Sequence, residues 1–429
     1  MREPTARAGT VGGPMTPARW ALLGSLYITQ FLALGFFFIA LVAILRRERA
    51  PLESLSIISL LGLVWVVKVL WAPLVDRIRF GRLGHYRGWL ILMQGGIVLT
   101  VLAIGRFDVV ADFEVVFGLC LLLAVLCATQ DIAADGLACR LLSRDQRGVG
   151  NGLQIAGGLL GNMLGGGVVL MLYPTIGWSG AMLVLALGVA VPLVQLLRFR
   201  EPVLADGRDQ VGALRTQMRR LVLVWRQPGG GRWLVLLSVY PLGIGLVYYL
   251  ATPMLVDAGW SMEHVGFVMN VVGSLIGVAS ALAAGMLVRR VGRRRMLVAV
   301  GVAQVIALAA FLLPATGASG SWAVVGPLCL LFVTYSPVAT VLCTMMMDRA
   351  TPEHAATDFT AQYTVYTLVA TVGGALAFQL AAVLGYPGVV MLAVAMASLA
   401  AVGASLLYQD PGTARAEPDL SAPLAVPSE

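Results

Sequence analysis

"VVFGLCLLLAVLCATQDIAADGLACR", residues 115–140, opens with an unbroken apolar run and then places two aspartates, Asp131 and Asp135, one helical turn apart before its first arginine, Arg140. A helical apolar run of this length crosses a hydrocarbon core about 30 Å thick. Both carboxylates therefore fall inside the membrane or close to its edge. A charge at that depth costs about 2.5–3.5 kcal/mol on insertion scales, so it faces the interior of a bundle and finds a partner. The stretch predicts a membrane helix that carries functional charge.

The rest of the chain agrees with a membrane reading. Of its 429 residues, 59% are hydrophobic and 12% are charged, against roughly 25% charged in a soluble domain. The apolar runs lack period-two alternation, which excludes a β-barrel and leaves an all-α fold. Twelve spans are predicted, at 20–44, 54–75, 88–105, 112–138, 150–173, 177–198, 233–255, 264–288, 296–314, 322–347, 359–384 and 387–408. The long polar connection 199–232 separates a six-helix half at 20–198 from a second at 233–408.

Arginine placement sets the expected orientation. Only Arg46, Arg47, Arg49 and Arg106 fall in segments assigned outside, so the other arginine-bearing loops and both termini are cytoplasmic. Residues 1–19 have no apolar core and no cleavage pattern, and read as a retained tail rather than a signal peptide. Residues 409–429 are Pro/Ala-rich without apolar periodicity, and read as a disordered cytoplasmic tail. The net charge of +8 belongs to this topology and not to a nucleic-acid surface. The five cysteines all lie in or beside apolar segments, so no disulfide framework is expected.

The chain has a single lysine, Lys68, inside "LLGLVWVVKVLWAPLVD" on the second span. Lys68 precedes Arg77 by nine residues and Asp131 precedes Arg140 by nine, so each lies roughly 13 Å from its basic flank at 1.5 Å per residue. Two opposite charges at one depth predict a pair. Asp135 is one turn further along the face that carries Asp131, where it would take the ammonium when Asp131 is protonated or occupied. With Gln130 beside them, these residues form the expected substrate and proton-coupling group. The same pair also reads as a static ion pair that fixes helix packing.

Around this centre the sequence offers further candidates. Asp76 and Arg77 end the second span, and Arg140 and Arg144 end the fourth; together they are expected to latch the cytoplasmic side. Cavity candidates are Tyr27, Gln30 and Gln154 in the first half, with Tyr240, Tyr248, Tyr249 and Tyr363 in the second. Gly157, Gly161 and Gly165 recur at four-residue spacing, a pattern that lets another backbone approach closely. They read as packing, or as a sliding surface between the halves, and "TVGGALA" is their counterpart in the second half. That half repeats the first weakly: "APLVDRIRFGRLGHYRGWL" aligns with "GMLVRRVGRRRMLV", and "SRDQRGVGNGLQ" with "ATPEHAATDFTAQ". Repeated halves are a mark of secondary transporters, which bind substrate between the repeats.

Other classes fit poorly. No HExxH pair, phosphate-cradling loop or metal cluster is present, so no cofactor or metal is expected. A membrane enzyme would have to work from His85 or His354 in loops. A receptor or scaffold would keep costly intramembrane charge without a moving part.

At "KVLWAPLVDRIRFGRLGHYRGWLILMQ", "ATQDIAADGLACRLL" and "ATPEHAATDFTAQYT" the chain resembles the major facilitator superfamily, over residues 20–408. More narrowly it is similar to the branch of AmpG muropeptide permeases, acetyl-CoA transporters and RhtX/FptX siderophore permeases. The resemblance makes Lys68, Trp71, Asp76, Arg77, Gln130, Asp131, Asp135 and the run 356–358 motif positions. Twelve spans rather than fourteen, with the "GHYRGW" loop, point within that branch to the siderophore permeases. The resemblance thus implies a monomeric inner-membrane transporter that imports a ferric siderophore from periplasm to cytoplasm by proton-linked alternating access. Import of a muropeptide, an organic anion or an acyl-CoA is the alternative.

Overall fold

The computed structural model describes residues 15–49, 57–202, 214–318 and 320–408. The expected C-terminal tail, most of the N-terminal tail and much of the 199–232 connection lie outside the described residues. Among those described, nine helical stretches are long and apolar enough to cross a membrane. Two of them reverse direction at a glycine held at φ 67°, Gly177 and Gly385, a backbone region that only glycine enters without penalty. One further span is assembled from short segments. The result is twelve helices: α1 Pro17–Arg47, α2 Ser59–Leu70 with Ala72–Arg77, α3 Tyr86–Ile104, α4 Phe113–Leu141, α5 147–176 and α6 178–198, then α7 Gly230–Asp257, α8 His264–Val291, α9 Arg293–Ala315, α10 Ser321–Arg349, α11 355–384 and α12 386–407.

The broken span is α2, where a 3₁₀ turn at Lys68–Leu70 and a non-helical Trp71 separate the two helical pieces. Pro73 explains the break: it has no N–H to donate to residue 69, and its ring crowds the preceding turn. The only lysine therefore sits where its helix is irregular. Discontinuous helices of this kind mark ligand and ion sites in transporters.

The apolar core is distributed unevenly. At the arginine-rich end one buried cluster joins both halves, with Leu137 and Cys139 of α4 against Met346 of α10 and Phe359 of α11. Towards the far end each half keeps its own core, around Phe37 and Leu123 in the first and around Leu250 and Phe311 in the second. The bundle is thus closed at the arginine-rich end and divided at the other.

Glycine makes two different contacts along α5. Gly161 and Gly165 lie against α1, where an added Cβ would stand 2.1 Å from the Ile28 carbonyl oxygen and 1.9 Å from that of Leu32. Gly148 and Gly152 lie against α8 of the other half, where a Cβ would meet the Gly285 and Ala281 carbonyls at 2.5 and 2.7 Å. The 157–165 stripe, expected as packing or as a sliding surface between the halves, packs α5 against α1 within its own half, and the seam between halves falls instead at Gly148 and Gly152, nearer the arginines. "TVGGALA" matches the first kind, since Gly374 lies under the Tyr249 ring of α7.

Gly161→Leu is expected to lower the unfolding temperature of the purified protein, since overpacking costs about 1–3 kcal/mol. Gly148→Leu instead keeps the halves from closing. Cys139 and Cys343, buried in the shared core, should then react faster with a maleimide, as read by site-resolved mass spectrometry.

Candidate functional site

Lys68, Asp131 and Gln30 meet between α2, α4 and α1. The Lys68 ammonium donates to Asp131 Oδ2, and Gln30 Nε2 donates to Asp131 Oδ1. All three residues are about 1% exposed. In such surroundings an unpaired charge costs several kcal/mol, and the ion pair with its amide is what makes the burial tolerable. Lys68 also lies over the Tyr363 ring of α11, 5.3 Å from its centroid. The ammonium thus stands between the two halves.

Asp135 accepts from Gln154 Nε2 of α5 at 2.8 Å, while the Lys68 ammonium donates to Asp131. Asp135 adjoins Asp131 and the buried Tyr27. One buried site therefore holds two carboxylates and one ammonium. Gln130 does not join the pair: its amide donates to the Leu26 carbonyl at 3.3 Å and to Thr29 Oγ1 at 3.4 Å, which ties α4 to α1.

The residues expected to latch the arginine-rich end meet partners other than those expected. Among the described residues Asp76 has no salt bridge to an arginine. It accepts from the backbone N–H groups of Ala356 at 3.2 Å and Thr357 at 2.8 Å, the first turn of α11, and from the Tyr86 hydroxyl. A carboxylate suits a helix N-terminus, whose first N–H groups lack intrahelical partners and whose dipole is positive there. Arg77 points outward and is exposed. Arg140 stands over the Tyr86 ring at 4.4 Å and donates to the Pro352 carbonyl of the other half. Arg144 contributes its backbone carbonyl, which accepts from Arg293.

Of two further carboxylates at this end, Asp348 was not singled out from the sequence, and Asp358 entered only within the 356–358 motif run. Asp348, at the end of α10, binds Arg147 of the first half at 3.0 Å and Arg293 of its own half at 2.9 Å. Asp358 binds Arg220, on the short helix Leu214–Leu223 of the connection, at 2.7 and 2.8 Å, and holds that guanidinium above its ordinary pKa. A carboxylate at a span end among arginines was the available signal. It names no partner, because the partners lie up to 201 residues away in the chain.

Of the expected cavity residues, Gln30 and Gln154 hold the two aspartates and Tyr363 faces Lys68. Tyr240 does not line a cavity: its hydroxyl donates to the Leu297 carbonyl at 2.7 Å and fastens α7 to α9. Tyr248 and Tyr249 are 37% and 42% exposed.

A model of the Major Facilitator Superfamily matches residues 23–374. The anhydromuropeptide permease of Escherichia coli (strain K12) is 29% identical over 263 residues, which are 60% of this chain and 52% of that protein. The chain thus spans about half the length of this relative. Two solved structures share the fold. The human organic anion transporter MFSD10 (TETRAN) has a TM-score of 0.69 and 16% identity over 91% of this chain and 100% of its own. The Escherichia coli fucose:proton symporter FucP has a TM-score of 0.67 and 12% identity over 91% and 98%.

Asp131→Asn leaves Gln30 an acceptor but strands a buried ammonium, and is expected to cost about 3–5 kcal/mol, read as a lower unfolding temperature. The double variant Lys68→Met/Asp131→Asn should recover most of that loss. A double variant no more stable than the single one would show that the pair is not what makes Lys68 tolerable.

Proposed function

The chain belongs to the Major Facilitator Superfamily, and from that premise we propose that it is a proton-linked importer of an anhydromuropeptide-like solute, working by alternating access in a bacterial inner membrane. The observation that carries this reading is the buried Lys68–Asp131 pair resting on Tyr363 of the opposite half. With Asp131 and Asp135 both ionised, the site holds one more negative charge than positive. One proton restores neutrality, which a low-dielectric interior favours. A proton on Asp131 releases Lys68 to a substrate carboxylate or to Asp135, and alters its contact with Tyr363. In this way proton binding, substrate binding and the fit between halves are linked.

With the arginine-rich end cytoplasmic, as the charge asymmetry suggests, the closed core and the Asp76, Asp348 and Arg140 contacts seal the inner side. The state described is then one that receives substrate from outside. The substrate class is suggested by the Escherichia coli relative, whose name is that of an anhydromuropeptide permease. This takes precedence over the siderophore expected from span count and loop wording, which the relatives described above do not support.

Proteoliposomes acidic on the outside should accumulate radiolabelled anhydromuropeptide, and a protonophore should abolish the accumulation. Asp131→Asn, normalised to inserted protein, is expected to reduce accumulation at least tenfold. Undiminished uptake by that variant would remove the charge switch, and labelled siderophore accumulating in place of muropeptide would reverse the substrate choice.

A further inference from the structure

The "GHYRGW" loop, residues 84–89, places His85 at the start of α3, in the closed end of the bundle. Its ring is buried, and both nitrogens have protein partners. Nε2 lies 2.8 Å from the Val75 carbonyl oxygen of α2, and Nδ1 lies 2.9 Å from Nη1 of Arg140 on α4. A carbonyl oxygen only accepts and a guanidinium only donates. Nε2 therefore carries the ring proton and Nδ1 is bare, so the two partners together fix one neutral tautomer.

This ring belongs to the fastening between the halves. It stacks on Tyr86 with centroids 4.3 Å apart and planes at 14°, and the Tyr86 hydroxyl donates to Asp76, which holds the first N–H groups of α11. Arg140 stands over the same Tyr86 ring and uses its Nε to reach the Pro352 carbonyl of the second half at 3.0 Å. Glu201, on the connection, accepts from the N–H groups of Tyr86 and Arg87 at 3.2 and 2.9 Å and stands 3.9 Å from Arg140. From the second half the turn Pro352–His354, which carries Glu353 and His354, packs against α2 and α4.

We infer that His85 is a proton site that releases the closed end: the neutral ring holds Arg140 in its place across the halves, and a proton taken from cytoplasmic water onto Nδ1 lets it go. This rests on the transport reading above, which makes the arginine-rich end cytoplasmic. The incoming proton occupies the lone pair to which Arg140 donates, so a hydrogen bond is lost and a second cation faces the guanidinium. The imidazolium would also be a buried charge, at the N-terminus of α3, where the helix dipole opposes it. Once Arg140 leaves His85, its reach to Pro352 loosens and it no longer covers Tyr86, which shares Asp76 with α11. With the halves parted the ring meets water and takes up the proton without these costs. Closure is therefore strongest above the histidine range, about pH 6.5 for a free side chain, and weakens as pH falls through that range, because the parted state binds the additional proton. In the proposed cycle Asp131 answers to protons from outside, whereas His85 answers to the inside.

The test follows the distance between the inner ends of the two halves, in the full-length protein in nanodiscs with no substrate added. Spin labels are attached through Arg82→Cys and Arg290→Cys, both exposed positions, in a background whose five native cysteines are replaced by alanine. Between about pH 8 and about pH 5.5 the chain with His85 should gain a longer distance, its ratio to the short one rising roughly three- to tenfold per pH unit, tenfold being the limit for one linked proton. His85→Gln keeps a donor for Val75 and an acceptor for Arg140 but takes up no proton, and should stay closed throughout. Asp131, Asp135, Glu201, Glu353 and His354 remain in that variant, so any response of theirs survives in it. His85→Lys should show the longer distance already at the alkaline end. No response with His85 present, or the same response in His85→Gln, overturns the proton site and leaves the transport reading standing. A response that requires His85, in a protein that accumulates neither labelled muropeptide nor labelled siderophore, upholds the site and overturns the transport reading.

Discussion

One ammonium held in a hydrocarbon-depth bundle by one carboxylate is the constraint around which the first half is built. Lys68 is tolerable because Asp131 neutralises it, and Asp131 is held in place by Gln30. The contact needs α1, α2 and α4 to converge at one height. It also sits where Pro73 has broken α2, so the backbone around the lysine is not locked into a regular helix. An ion pair of this kind contributes little net stability. The proposed function asks something else of it: that a proton or a ligand anion can replace one partner of the pair.

The second half supplies no countercharge at that height. It offers the face of Tyr363, whose quadrupole attracts the ammonium without competing for the proton. Charge chemistry is thus confined to one half and stacking surface to the other. Their common boundary is glycine backbone on one side, Gly148 and Gly152 against Gly285 and Ala281, and Asp76 with the start of α11 on the other. These two contacts occupy equivalent places in the repeat and use unlike chemistry.

Much of this was readable from sequence where the signal is local or periodic. The twelve spans follow from apolar run length, and the two tight reversals fall at Gly177, the first residue of the predicted sixth span, and at Gly385, between the predicted eleventh and twelfth. The Lys68–Asp131 pair followed from equal distance to a basic flank, because helical rise converts residue number into depth. Rotation about the helix axis is not encoded in that way. Gln130 neighbours Asp131 in sequence but faces α1, and Tyr240, which reads like Tyr248, turns to bond the Leu297 carbonyl. Partners of the end-of-span charges were equally hidden. Asp76 meets backbone amides, which every sequence carries, so nothing in the composition of α11 announces it.

That same contact has a consequence for how the protein would look to a mutational survey. Since the donors to Asp76 belong to the main chain of Ala356 and Thr357, side-chain replacement on the α11 side leaves them intact, proline excepted because it carries no N–H. A scan of α11 would pass over one of the fastenings of the closed end, which would register instead at Asp76 and at Tyr86, whose hydroxyl also donates to it.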